Sequence, residues 1–203
     1  EIFNGNEALI KKYAEKLSIS FERVEYAKNN FIRVVKVMKA FILNDSVKSF
    51  LCLNNKLPQE NKGLFDIKLL EEFADAIIKL YGIKGLKGKD LLYSINSEDY
   101  DAKRAEFIQR LSKGEKLFVI SSYNTVGAGQ NLQYKAPGNA TIVAVNDYDR
   151  GDMEKDFDYI YLEKPTNLLV NVDSKKGIEA EDLIRFVYQM EFLMERGEVS
   201  RKD

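Results

Sequence analysis

The chain contains no histidine and a single cysteine, Cys52. Without imidazole there is no Ser-His triad, no histidine general base and no histidine metal ligand. Any chemistry falls to carboxylates, lysines, arginines and hydroxyls, and no metal site is expected. One thiol makes neither an intrachain disulfide nor a thiolate zinc cluster. Its place in the apolar run Phe50-Leu51-Cys52-Leu53 predicts a buried, inert side chain in an intracellular, cytoplasmic protein. No apolar run approaches the ~20 residues that a membrane span needs, and no signal peptide is evident, so no membrane partner is expected. Lys and Arg number 31 against 32 Asp and Glu, for a formal net charge of -1. That balance excludes a global positive field, so contact with nucleic acid would have to come from local placement. The first residue is Glu1 rather than Met, which reads as a piece cut from a longer protein.

What is present suits a folded chain: 203 residues, 45% of them hydrophobic, are enough to bury a core of ordinary α/β size. Leu9, Ile10, Tyr13 and Leu17 share one helical face, and Phe21, Val24, Phe31, Val34, Val35, Met38, Phe41 and Ile42 repeat at helical spacing. Residues 1–62 therefore read as a helical arm or collar. Within it, Ser49-Phe50-Leu51-Cys52-Leu53 is either a short buried strand or the frayed end of the helix before it. From Asp66 onward the punctuation becomes regular. Asp66 can cap a helix carrying Leu69, Leu70, Phe73, Ile77 and Tyr81, with Gly82 as its stop. Ser97 can cap another, carrying Tyr100, Phe107, Ile108 and Leu111, which Gly114 ends. The runs DLLYSI, KLFVIS, ATIVAVN and DYIYLE read as strands, and Leu183, Phe186, Val187, Met190 and Leu193 as the core face of a last helix. Alternation of this kind predicts a three-layer α/β fold with a mostly parallel sheet and function at the carboxyl ends of its strands.

Two segments imitate motifs. In GIKGLKGKD, Gly82 to Asp90, the glycine expected five residues before Gly88 is Ile83, Lys89 is followed by Asp90, and the segment follows a helix instead of a strand. It reads as a connector, not a phosphate loop. The tripeptide Arg150-Gly151-Asp152 is a chance occurrence. Paired carboxylates such as Glu71 with Glu72, and Asp99 with Asp101, fall on helix surfaces where solvation explains them.

SSYNTVGAGQNLQY, Ser121 to Tyr134, has the right context as well as the right letters. A strand delivers the chain to an edge, glycines let backbone amides face an anion, and an Asn or Gln side chain offers both a donor and an acceptor. A plain turn between two strands is the alternative. Ser122, Gly127, Gly129, Asn131 and Leu132 fall without a gap on a pattern that resembles the fifth conserved motif of superfamily 2 helicases and translocases, in its Swi/Snf-like form. The preceding FIQRLSKGE and the following ATIVAVND also resemble that family's flanking elements, so the resemblance spans about residues 66–147. It implies the second, C-terminal RecA-like lobe over residues 63–203, with a family-specific extension and an N-terminal helical arm. It also implies DNA or RNA and the N-terminal helicase lobe of the same polypeptide as partners. In that family the motif links nucleic-acid phosphates to ATP, which would assign Ser122 and Thr125 to the nucleic-acid backbone and Gly127, Gly129 and Asn131 to the nucleotide.

The departures from the family are specific. The arginine fingers that neutralise the transferred phosphoryl group have no obvious counterpart after ATIVAVND. Gln189 and Arg196 have the family's spacing, but Leu193 stands at the first arginine. Arg196 is thus the candidate catalytic finger, with a solvated helix face as the alternative reading of Arg185, Gln189 and Arg196. No credible Walker A or Walker B sequence is present, so ATP and its Mg²⁺ would be held mainly by an absent first lobe, and the chain alone would be inactive. A catalytically silent α/β interaction module is the competing reading. A dinucleotide-binding loop is a weaker third, since Gly127-x-Gly129 lacks a third glycine.

Overall fold

Apolar residues three and four apart build the first two helices of the computed structural model. It describes residues 1–21, 24–55, 57, 65–96, 98, 100–123, 125–126, 132–138, 154–163 and 180–195. Helix α1 (Glu7–Ser20) starts where the Asn6 side chain accepts the Leu9 N–H at 3.1 Å, and buries Tyr13 and Leu17. Helix α2 (Glu25–Leu43) buries Phe31, Val34, Val35, Met38, Phe41 and Ile42, each such side chain stabilising the fold by about 1.5–3 kcal/mol. Asn44 ends it by turning its Oδ1 onto the Ser46 N–H at 3.1 Å, a local bond that competes with further helix. The chain then enters strand β1 (Ser49–Asn54), which resolves the two readings of SFLCL in favour of the strand.

Helix α3 (Ile67–Leu80) is capped by Asp66, whose carboxylate accepts the Lys68 N–H at 2.8 Å. It is followed by Gly82 at a φ of 65°, a left-handed stop that glycine adopts without Cβ strain. The short helix α4 (Gly88–Leu91) leads into β2 (Leu92–Ser94), then α5 (Tyr100–Ser112) and β3 (Leu117–Ser122). A two-residue antiparallel pair, β4 (Tyr134–Lys135) with β5 (Glu154–Lys155), precedes β6 (Tyr159–Leu162). Strands β2, β3, β1 and β6 form, in that order, a fully parallel four-stranded sheet. The α/β class with a parallel sheet is therefore established.

Alternation along the strands divides the core in two. Phe50, Cys52, Leu92, Phe118 and Ile120 face α1, α2 and α3, whereas Leu51, Leu117 and Val119 face Phe107 and Leu111 of α5. The step from β1 out to β2 and the step back from β2 to β3 run in opposite directions and place their helices on opposite faces, as a single handedness of crossover requires. At the amino ends, Asp158 Oδ2 accepts the N–H groups of Lys48 and Ser49 at 2.8 and 2.9 Å, and the buried Tyr134 hydroxyl donates to Ser49 Oγ at 2.9 Å.

Two expectations change and one is met. Residues 1–62 are not a separate arm: α1 and α2 pack on the sheet, β1 is an inner strand of it, and the first compact unit runs from Glu1 to Glu163. The reason is burial, because α2 carries more apolar surface than a solvated arm could expose. The segment Gly82 to Asp90 is a connector whose Gly88 N–H donates to Asp75 Oδ1 at 2.6 Å, so a carboxylate of the protein already lies where a phosphate would. The second unit, Lys164–Asp203, contains α6 (Ala180–Glu195), on which Val187, expected in the core, is 48% exposed. The run ATIVAVN and the Ser97 cap lie outside the described residues. Among the described residues no helix is long and apolar enough to cross a membrane.

Candidate site at the carboxyl edge of the sheet

The connections that leave β1 and β3 depart toward opposite edges of the sheet, β1 toward β2 and β3 toward β6. Two neighbouring parallel strands whose chains diverge in this way open a crevice at their carboxyl ends, where open α/β sheets bind ligands. Here that crevice lies between Asn54 of β1 and Ser122 of β3, which pair in register.

The edge is built from polar residues that bond to one another. Asn30 of α2 and Asn54 form a buried reciprocal amide pair, Nδ2 to Oδ1 at 3.0 and 3.3 Å, and Asn54 Oδ1 also accepts the Asn55 N–H at 2.8 Å. Ser121 Oγ donates to the Ile95 carbonyl at 3.2 Å and ties β3 to the end of β2. Ser122 opens a turn: its carbonyl accepts the N–H groups of Thr125 and Val126 at 3.1 and 3.0 Å, and its Oγ accepts the Thr125 N–H at 3.2 Å. The Ser122 and Thr125 hydroxyls lie 2.9 Å apart, and the two residues are 7% and 9% exposed.

Beside this turn sits Glu163, a carboxylate only 2% exposed at the end of β6. Arg33 of α2 grips it with both ends of its fork, Nη2 to Oε1 at 2.6 Å and Nε to Oε2 at 3.3 Å, and the Tyr161 hydroxyl donates to Oε2 at 2.6 Å. The Glu163 N–H donates to the Leu53 carbonyl at 3.0 Å, and the Tyr123 hydroxyl donates to the Glu163 carbonyl at 2.6 Å. The bond to Glu163 raises the Arg33 pKa. Burial and then the hydrogen bond to Glu163 raise that of Tyr161, and burial and then the Glu163 charge raise those of Tyr123 and Cys52. Cys52 is an inert thiol at neutral pH, as its apolar surroundings predicted.

Ser122 and Thr125 thus meet in one turn with their hydroxyls directed at each other. Gly127, Gly129, Asn131 and Arg196 lie outside the described residues, as does the proposed link between them. Arg185 and Gln189 stand on α6, in the other unit. The residues that sequence reasoning missed are Arg33, Tyr123, Asn30, Asn54 and Glu163. A signal existed for one of them, since Asn30 interrupts the apolar stripe of α2 one residue before Phe31. Among the described residues no cluster of acidic or thiol side chains is arranged to hold a metal ion. Compared with the sequence models of known protein families the chain matches none, and it matches no curated protein.

Proposed function

We propose that this chain is the second RecA-like lobe of an ATP-driven nucleic-acid helicase or translocase, and that the loop beginning at Ser122 meets both the nucleic-acid backbone and ATP. One observation carries the reading. The glycine-containing segment follows the carboxyl end of β3, whose onward connection and that of the neighbouring β1 run toward opposite edges of the sheet, the place where a parallel sheet offers backbone amides to an anion. On this reading Ser122 and Thr125 contact the nucleic-acid backbone, Gly127, Gly129 and Asn131 contact the nucleotide, and Arg196 is the finger toward the transferred phosphoryl group. ATP and Mg²⁺ would supply the driving reaction once held by the other lobe. This chain's part is to bind and orient at one wall of the shared cleft.

The test is binding of a fluorescently labelled oligonucleotide by the chain as it stands. One lobe offers few phosphate contacts, so affinity should be weak and fall with salt with a slope equivalent to about two to four released ions. In the protein with both lobes, Gly129→Val and Asn131→Leu, on the nucleotide side, should each lower nucleic-acid-stimulated ATP hydrolysis by roughly 5- to 100-fold without lowering the melting temperature. Magnesium-dependent ATP hydrolysis by the chain alone would overturn the half-motor assignment. The silent interaction module has one observation in its favour: the Ser122 and Thr125 hydroxyls are already bonded to each other and buried. Absence of oligonucleotide binding at low salt would select it.

A further inference from the structure

We infer that Tyr123 is a positioning residue for the loop that β3 feeds, and that it acts through the half-buried Arg33–Glu163 ion pair. Tyr123 directly follows the last residue of β3, and its hydroxyl reaches forty residues along the chain to the Glu163 carbonyl at 2.6 Å. That carbonyl is a fixed point because Glu163 is held from three sides. Its N–H bonds to Leu53 of β1, its carboxylate takes both ends of the Arg33 fork from α2, and Tyr161 of its own strand completes the set.

A carboxylate 2% exposed stays charged inside a protein only when its partners replace water, so the position of Glu163 depends on Arg33. Arg33 is 44% exposed, yet its helix is fastened to the end of β1 one turn earlier by the Asn30–Asn54 amide pair. The root of the loop is therefore anchored to a frame contributed by α2, β1 and β6. The turn held by Ser122, in which the Thr125 and Val126 N–H groups bond to its carbonyl, begins one residue before the anchor. The packing of the Tyr123 ring would be served equally by phenylalanine. The hydroxyl is what joins the turn to the frame.

This inference rests on the proposed function for what the loop binds, and not for how the loop is held. It is tested by amide hydrogen exchange at Thr125 and Val126 in the whole chain without ligand, followed by binding of a labelled single-stranded oligonucleotide at low salt. Tyr123→Phe should raise exchange at both amides by about fivefold, the effect of one lost hydrogen bond, with the melting temperature nearly unchanged. Arg33→Met should loosen the same amides through Glu163. On that background Tyr123→Phe should add less than twofold, because both act along one path. Unchanged exchange in Tyr123→Phe, or fully additive effects in the double variant, would overturn the inference. Should Arg33→Met fail to fold, Tyr123→Phe still decides. Faster exchange accompanied by no oligonucleotide binding in the parent chain supports the positioning role and refutes the nucleic-acid reading, so the two fail separately.

Discussion

Removing the Asp158 carboxylate is expected to destabilise the fold at neutral pH and to matter far less in acid. Asp158 Oδ2 accepts two backbone N–H groups at the start of β1, from Lys48 and Ser49, and its Oδ1 pairs with Lys155. In Asp158→Ala the Lys48 amide, on an exposed residue, can be rehydrated, whereas Ser49 is fully buried and its amide loses its acceptor. One orphaned buried donor costs about 1–3 kcal/mol, and loss of the second charge-assisted bond adds about 1 kcal/mol, so the loss should be about 2–4 kcal/mol. The pH dependence has a definite sign. Burial pulls the Asp158 carboxyl upward, but the bonds from Lys155, Ser49 and Lys48 outweigh it and hold the group below its ordinary value. A depressed native pKa stabilises the fold above the unfolded value near 4, and that contribution disappears as pH falls through the native value. Urea denaturation followed by circular dichroism at pH 7 and near pH 3 measures both effects through the midpoint at constant slope. Asp158→Asn keeps an acceptor for the Ser49 amide and should fall between the parent and Asp158→Ala. A loss under about 0.5 kcal/mol at pH 7, or a loss that grows in acid, would refute the reasoning.

Gly88→Ala should destabilise by about 1–3 kcal/mol in the same assay, because its Cβ would stand 2.5 Å from the Glu71 carbonyl oxygen, a backbone atom of α3 that cannot swing aside. Gly138→Ala, where an added Cβ meets nothing within 4 Å, is the control and should be neutral. Cys52 should resist an aromatic disulfide reagent in the native protein at pH 8 and react at once in urea, since it is fully buried and its thiol pKa is pushed up by burial and by Glu163. Stoichiometric reaction within seconds under native conditions would mean that β1 is not an inner strand.

Local signals were legible in the sequence because local physics produces them. The 3.6-residue apolar stripes of α2 and α3, the Asp66 cap and the left-handed glycines Gly82 and Gly114 each depend on neighbours within a turn or so of chain. The alternation of strands and helices followed from the same periodicities, and with it the parallel α/β class. The six residues of β1 were ambiguous because a short apolar run has too few positions to distinguish a period of 2 from one of 3.6. Its two parallel partners, Leu117–Ser122 and Tyr159–Leu162, settled the matter and drew the first two helices into the core. The carboxyl edge was legible only in part. The segment from Ser122 could be picked out by its glycines, but the inward pairing of Ser122 with Thr125 depends on how the turn folds back. The bond between Arg33 and Glu163 spans 130 residues, and no local pattern marks either member. A buried carboxylate is tolerable only where a distant cation arrives to meet it, and strand order alone brings α2 and the end of β6 to the same corner.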